Sequence, residues 1–568
     1  MRSGFQKLAF ASVALLGATL SARSALASNG LDSPGDAGAA QIGRGGAWIA
    51  RADDPLAAYY NPAGLVRQGT GVHLGAQLMF LNRCYARTGP DMDQKSTTYG
   101  QFGSSGFPVS PGAGYLGPGA PQNGKAIGPS ADVCSDGAPF PNPQLAFNYR
   151  ALDKLAIGLA LVGPHGVGKS IWPESMGFTN KFGIQATQPA PQRYMLTESD
   201  SLILFPTLSV AYAVNDQLSF GAGFVWGVAH AEFVKLAETI STPPGGKTCG
   251  PNKDQQCLAG DDFTRDAKAK LSATDVFVPG FVIGALYSPT NNLDVAAWFR
   301  WSDAVDTDAS VNVTSLYWDQ AGKVNTAPCG TGAAGCNITK GEKAGDPGYN
   351  AGHIKLNIPM EAKLGVRFHY PRSTPAPLPK WAQGTKKVRD ALSEDLFDIE
   401  ANFTYANNSS VQNIEVRFQK GIPINGTGGT LPENADIAHN WKDVFGVRLG
   451  GEYVIVPGLL AARAGGFYES KGQDDKYLNI DFHLGERVGL SGGASVRIGP
   501  VDVTVAYQHT FFGTLDNKGQ GALYGLSGDA ATSKTPGPAG AFRTYQAING
   551  GSLKSDLNEV ALGGTWRF

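Results

Sequence analysis

Residues 360–370 read MEAKLGVRFHY, an order that sorts the side chains onto two faces. Met360, Ala362, Leu364, Val366, Phe368 and Tyr370 fall on one face, and Glu361, Lys363, Gly365, Arg367 and His369 on the other. Period two with one apolar face is the signature of a half-buried β-strand. Residues 445–453 repeat it, with Phe445, Val447, Leu449 and Tyr453 opposite Arg448 and Glu452. Residues 397–405 do the same, setting Ile399, Ala401 and Phe403 against Asp398, Glu400 and Asn402. In a soluble sandwich the apolar face meets a second sheet; in a membrane barrel it meets lipid and the polar face lines the lumen. One strand alone fits both.

Working outward, the same alternation marks candidate strands at 71–80, 144–151, 154–163, 201–214, 217–230, 275–287, 293–305, 358–370, 394–408, 441–456, 459–470, 485–498, 501–512 and 556–568. That is about fourteen, an even number, as single-chain bacterial barrels have. Short links (Leu152-Asp153, Asn215-Asp216, 288–292, Pro457-Gly458, Gly499-Pro500) alternate with long ones at 81–143, 164–200, 231–274, 306–357, 409–440, 471–484 and 513–555. Short turns on one rim and long loops on the other are the habit of an outer-membrane barrel, whose long loops lie outside the cell. The exception is 371–393, a long Pro- and Lys-rich link on the short-turn rim, read as carrying a small periplasmic helix. The sequence thus predicts an all-β fold: a transmembrane antiparallel β-barrel of about 14 strands. Its last strand sets Val560, Leu562, Gly564, Trp566 and Phe568 against Ala561, Gly563, Thr565 and Arg567. A terminal aromatic on such a strand resembles the signal read by the barrel-assembly machinery. Trp298, Trp301 and Trp566 are assigned to the aromatic belts at the membrane surfaces.

Composition agrees. Of 568 residues 75 are Gly, only 17% are charged and the net charge is -1, so no basic field is present to hold nucleic acid. Arg2 and Lys7, the apolar run Leu8–Leu20 and Ala25-Leu26-Ala27 form an export signal over residues 1–27. Arg23 interrupts the run too early for a spanning helix of roughly 20 residues. The six cysteines neighbour one another in pairs, Cys84 with Cys134, Cys249 with Cys257 and Cys329 with Cys336, each within one long loop. Six cysteines permit fifteen connectivities; export into an oxidising space favours loop-by-loop disulfides. The spacing for zinc is missing, so no metal and no cofactor is expected.

Gly163-Pro-His-Gly-Val-Gly168-Lys169-Ser170 satisfies the pattern of a phosphate-binding loop. That chemistry needs a helix beginning at the Lys so that backbone N–H groups face the phosphates. Pro173 and Gly177 follow too soon for one. The stretch is read as a Gly-rich entry to a surface loop.

Residues 28–70 alternate poorly and hold Ala52-Asp53-Asp54-Pro55 and Asn61-Pro62-Ala63-Gly64, turn and helix-start chemistry suited to a small folded plug. A barrel of this size leaves an open lumen unless something fills it. The segment resembles the N-terminal hatch of the FadL/TodX family of outer-membrane transporters for long-chain fatty acids and aromatic hydrocarbons. Phe205-Pro206, Leu218–Gly223, Gly284–Tyr287, Ile358-Pro359, Trp441-Lys442-Asp443 and Arg448-Leu449-Gly450 extend the likeness over nearly the whole mature chain. The resemblance implies a monomeric barrel (71–568) with a hatch (28–70) in the outer membrane of a Gram-negative bacterium, in contact with its lipid and lipopolysaccharide. It implies passive uptake of a hydrophobic small molecule, with release through a wall opening near a kinked strand. Asp53, Asp54, Asn61, Pro62 and Ala63 are then the hatch residues that shift on ligand binding, or else residues that only fold it. Arg367, Arg448 and Arg463, on lumen faces, either bind a ligand carboxylate or pair with Glu361, Glu452 and the hatch aspartates. No catalytic group is expected; His353 and His369 have no evident serine partner. A structural or adhesive barrel whose loops bind a partner is the alternative.

Overall fold

The computed structural model describes residues 37–87, 132–163, 168–179, 185–238, 266–318, 338–383, 388–424, 429–523 and 547–568, apart from isolated positions within those spans. Fourteen strands form the wall: β1 (Gly71–Arg87), β2 (Phe140–Leu152), β3 (Leu155–Val162), β4 (Leu196–Ala213), β5 (Leu218–Glu238), β6 (Asp266–Thr290), β7 (Leu293–Ser302), β8 (Glu361–Pro371), β9 (Asp395–Ala406), β10 (Val444–Val456), β11 (Leu460–Glu469), β12 (Arg487–Ile498), β13 (Val501–Phe512) and β14 (Gly551–Arg567). Each pairs antiparallel with its neighbours in order, and β14 pairs back onto β1 from Gly71↔Arg567 to Arg87↔Gly551. The sheet is closed. Every strand expected from the alternation is present.

Burial runs opposite to that of a soluble protein. On β8, Leu364, Val366, Phe368 and Tyr370 point outward and stay exposed, while Glu361, Lys363, Arg367 and His369 are buried in the lumen. On β9 and β10, Ile399, Phe403, Val447, Leu449 and Tyr453 face out, and Asp398, Glu400, Arg448 and Glu452 face in. An exposed apolar belt of this extent is stable only against lipid. No helix among the described residues is long enough to cross a membrane; the strands cross it.

Three expectations need correction. Several strands run well past their expected ends, β1 to Arg87, β5 to Glu238, β6 from Asp266 and β14 from Gly551. Above the membrane the outward positions turn polar, as Glu232 and Lys270 do, so the alternation fades while the ladder continues. Likewise the expected loops 306–357 and 409–440 contain strands: Val305–Thr314 pairs with β6, and Gly352–Leu356 lies between it and Asn413–Phe418. Finally, Trp298 is not in an aromatic belt. Trp301 and Trp566 face out, but Trp298 lies three residues from Trp301, on the opposite face of β7, and is 3% exposed.

Cys84 and Cys134 form a disulfide. Cys84 stands within β1, cross-strand from Cys134, rather than in a loop. Cys249, Cys257, Cys329 and Cys336 fall outside the described residues, as does the expected signal segment 1–27. If all three pairs are bridged, intact-mass measurement of exported protein should gain two hydrogens per bridge on reduction. A mass unchanged by reduction would refute the pairing.

Candidate functional site

Lumens of outer-membrane barrels are usually polar. Here one side is not. Inward positions on β4–β7 and the strands above them carry Ile203, Phe205, Phe233, Leu271, Trp298 and Ile354, which join Val411, Ile414, Trp441 and Phe482 in one buried apolar column. Its lower end rests on Tyr59 and Tyr60 of the N-terminal segment, with Tyr59 6.2 Å from Phe205 and 6.1 Å from Trp298, ring to ring. The indole of Trp298 donates to the Tyr59 carbonyl at 2.8 Å. The opposite wall is hydrophilic: β1, β13 and β14 present His73, Gln77, Gln508, Thr510 and Glu559.

Residues 37–70 sit inside the barrel as short helices, α1 (Ala39–Ile42) and α2 (Ala57–Tyr60), followed by a 3-10 turn, Pro62–Arg67. Helices this short have little stability of their own, so the wall must hold them. β9 does much of this. Its inward Asp398 takes Arg44 at 2.5 Å and Arg51 at 2.7 Å, and Glu400 accepts from the backbone N–H groups of Ala50 (2.8 Å) and Arg51 (3.1 Å). Asn402 accepts from Trp48 N–H at 3.1 Å. Arg51 also reaches Asp53 at 2.8 Å and Glu452 of β10 at 2.9 Å.

The wall is notched to admit the segment. A Cβ at Gly450 would collide with the Arg44 carbonyl, and one at Gly158 would lie 2.8 Å from Leu65. The Asn61-Pro62-Ala63 corner seats on β5 and β6. Asn61 donates to the Ile49 carbonyl at 2.8 Å and accepts from Ala63 N–H, and Ser219 donates to the Ala63 carbonyl at 2.9 Å. Pro62 opens the 3-10 turn, where its missing N–H costs nothing.

Asp53 and Asp54 are neighbours with opposite proton affinities. Burial raises Asp54, the Asp53 charge adds to it, and bonds from Gln41 and Leu56 only partly offset them, leaving it at about 6. Burial also raises Asp53, but Arg51, Arg567 and Arg367 outweigh it and hold it at about 2. Asp54 therefore binds its proton more tightly when the segment is docked than when it is free. Raising the pH from about 4 to about 6 removes that proton and should weaken docking. Asp53 acts in the other sense, adding stability as pH rises from about 2 to about 4. Ion leak through bilayer-held protein should accordingly rise between pH 4 and 6, and stay flat across that window in Asp54→Asn. A leak in the native protein that ignores this range would contradict the assignment.

Beside the lumen the described pairing of β3 ends just before the undescribed residues 164–167. The β2–β3 ladder stops at Leu145↔Leu161 and the β3–β4 ladder at Val162↔Phe205, and pairing along β4 resumes at Gly168↔Ser201. Among the described residues, Phe140–Gln144 have no ladder partner on the β3 side. Asn142 donates to the Gly163 carbonyl at 2.9 Å at this edge. Of the phosphate-loop pattern, residues 164–167 lie outside the described residues. Gly168–Ile171 is a strand, not a helix, and Lys169 pairs with Glu198.

The three lumen arginines each meet a carboxylate. Arg367 contacts Asp294 (3.1 Å), Asp395 (3.1 Å) and Asp398 (3.2 Å), Arg448 contacts Glu469 (3.0 Å), and Arg463 contacts Glu452 (2.6 Å). Among the residues named from the sequence, Asp53 and Asn61–Ala63 belong to the seat of the segment, and Arg448 joins it by donating to the Gly45 carbonyl at 3.3 Å. Sequence reading placed Asp398 and Glu400 on a lumen face but missed that they receive Arg44 and Arg51. Two arginines in an otherwise Gly- and Ala-rich stretch were the available signal.

The chain matches the model of a family described as outer membrane protein transport protein (OMPP1/FadL/TodX) over residues 22–542. No curated protein matches it in sequence. In structure it resembles a Pseudomonas aeruginosa FadL homologue at 17% identity, covering 94% of this chain and 99% of that one, with a TM-score of 0.61. It also resembles the P. putida toluene transporter TodX, at 12% identity over 94% of this chain and 99% of that one, with a TM-score of 0.51. These likenesses show the shared fold. With its closed fourteen-strand barrel and a family match over most of its length, the chain belongs to the FadL/TodX family of outer-membrane transport proteins.

Proposed function

We propose that the protein is a passive, non-enzymatic, monomeric channel for hydrophobic small molecules, long-chain fatty acids or aromatic hydrocarbons. Residues 37–70 act as the hatch, and release is sideways through the wall near β3. The buried apolar column inside a barrel carries this reading. A greasy solute is held poorly by a polar, water-filled lumen and well by a lining of Ile, Phe and Trp side chains. The hatch blocks the axis, which leaves the wall as the way out. Lipopolysaccharide surrounds the outer rim, and the strand ending at Phe568 serves assembly.

Neutral cargo fits better than charged cargo. Arg367, Arg448 and Arg463 already face carboxylates, so a fatty-acid carboxylate would have to displace one of them. In proteoliposomes an alkylbenzene should therefore show saturable uptake, and oleate should compete with it weakly. Equal competition by oleate would remove the preference for neutral cargo. No saturable uptake of either compound would remove the channel and favour an adhesive barrel.

A further inference from the structure

The link between β8 and β9 is much longer than the barrel needs. Their ladder runs unbroken from Glu361↔Ala406 to Tyr370↔Phe397, and the other turns on this rim use two to four residues. The described residues of this link, 372–383 and 388–394, instead leave the rim and cross the mouth. Leu392 stays near home, packed with Val454 and Ala461. Asp390 grips Arg497 at the end of β12 with both oxygens, at 2.6 and 2.9 Å. Trp381 lies beneath two guanidiniums, Arg497 at 5.7 Å and Arg567 of β14 at 5.0 Å. Counting around the wall, β14 is six strands from β8 in a barrel of fourteen, so the link reaches nearly to the far side.

The far anchor is continuous with the hatch. Arg497 also holds Asp502 at 2.6 Å, Asp502 holds Arg567, and Arg567 donates to the Asp53 carbonyl at 3.0 Å. On the near side Arg389 reaches His369 at 2.8 Å, and its N–H donates to the Arg67 carbonyl. Between link and hatch remains a cavity of about 40 Å³, lined by Arg51, Asp53 and Asp54 from above, Asp390 from below, and Arg463 and Arg497 from the wall. That is room for a few waters, among charges that no hydrocarbon would displace at acceptable cost.

We propose that the described residues of this link, 372–383 and 388–394, form a strap that bars the periplasmic mouth beneath the hatch to bodies of cargo size while ions still pass around it, so the straight-through route is closed twice to cargo. Its corollary rests on the channel reading: cargo must leave through the wall, with the strap shut throughout.

A cysteine at Ala40, on the hatch face of the cavity, reports the strap directly when labelled by a bulky water-soluble maleimide, with the native chain as background. Replacing 372–394 by a short turn should speed labelling tenfold or more. Asp390→Ala combined with Trp381→Ala should speed it too, and decides the matter if the shortened barrel lacks the heat-dependent gel mobility of a folded one. Unchanged labelling would overturn the strap. Alkylbenzene uptake read on the same proteins should not change; a large rise on removing the strap would place the exit at the mouth and overturn the corollary. Absence of uptake in the native protein would defeat the channel reading while the labelling result stood.

Discussion

Asp398→Ala is expected to unseat residues 37–70 from the lumen while leaving the fourteen-strand wall intact. Asp398 faces Arg44, Arg51 and Arg367, and its side chain is 1% exposed. Removing it leaves two hatch guanidiniums buried without their shared partner, and losses of this kind cost about 3–5 kcal/mol. The wall does not depend on the contact, because the β8–β9 and β9–β10 ladders are made by backbone groups. In bilayers the variant should conduct ions steadily where the native protein is closed. Proteolysis should cut within 37–70 while the barrel keeps its heat-dependent gel mobility. A closed, protease-resistant Asp398→Ala would show that the acidic face of β9 is not what holds the segment.

The second large effect belongs to the apolar column. Ile203 is 3% exposed on the inward face of β4, among the side chains that run from the hatch to Trp441. Ile203→Asn sets an amide in that lining with nothing apolar gained in exchange. A penalty of roughly 1–3 kcal/mol on passage corresponds to a fall in alkylbenzene uptake of about fivefold to about a hundredfold. Ile203→Val, which keeps the surface apolar, should behave like the native protein. If both variants transport equally, the column is packing rather than path.

Much of this molecule is legible in its sequence. Alternation is a local property, and a strand that divides lipid from lumen displays it in every pair of residues, as Leu364 and Arg367 do on β8. Strand number and the two rims followed from it. What stayed hidden depends on partners distant in sequence. Trp298 looked like a belt residue by composition, and only strict parity along β7 turns it inward toward Tyr59. Glu400 is one more acid on a polar face until residues 50 and 51 are laid against it, some 350 positions away. Gly450 sits at an ordinary strand position, and its want of a side chain becomes meaningful only when the Arg44 carbonyl occupies the space. The strap was visible as an anomaly of length, but nothing in its own residues names Arg497 and Arg567 as the anchors.

The seam between β1 and β14 has a further consequence, for quality control of the chain during its manufacture. The first wall strand finds its second neighbour only in residues 551–567, so closure joins segments nearly five hundred positions apart. Contacts so distant form late. Until they do, β1 and β13 each present an unpaired edge, the kind of surface that recruits other chains. A ribosome that stops anywhere before residue 551 thus leaves a product that cannot seal, with the hatch tethered to one of its loose edges. Length is proofread by topology: a copy that closes must already carry its final strand.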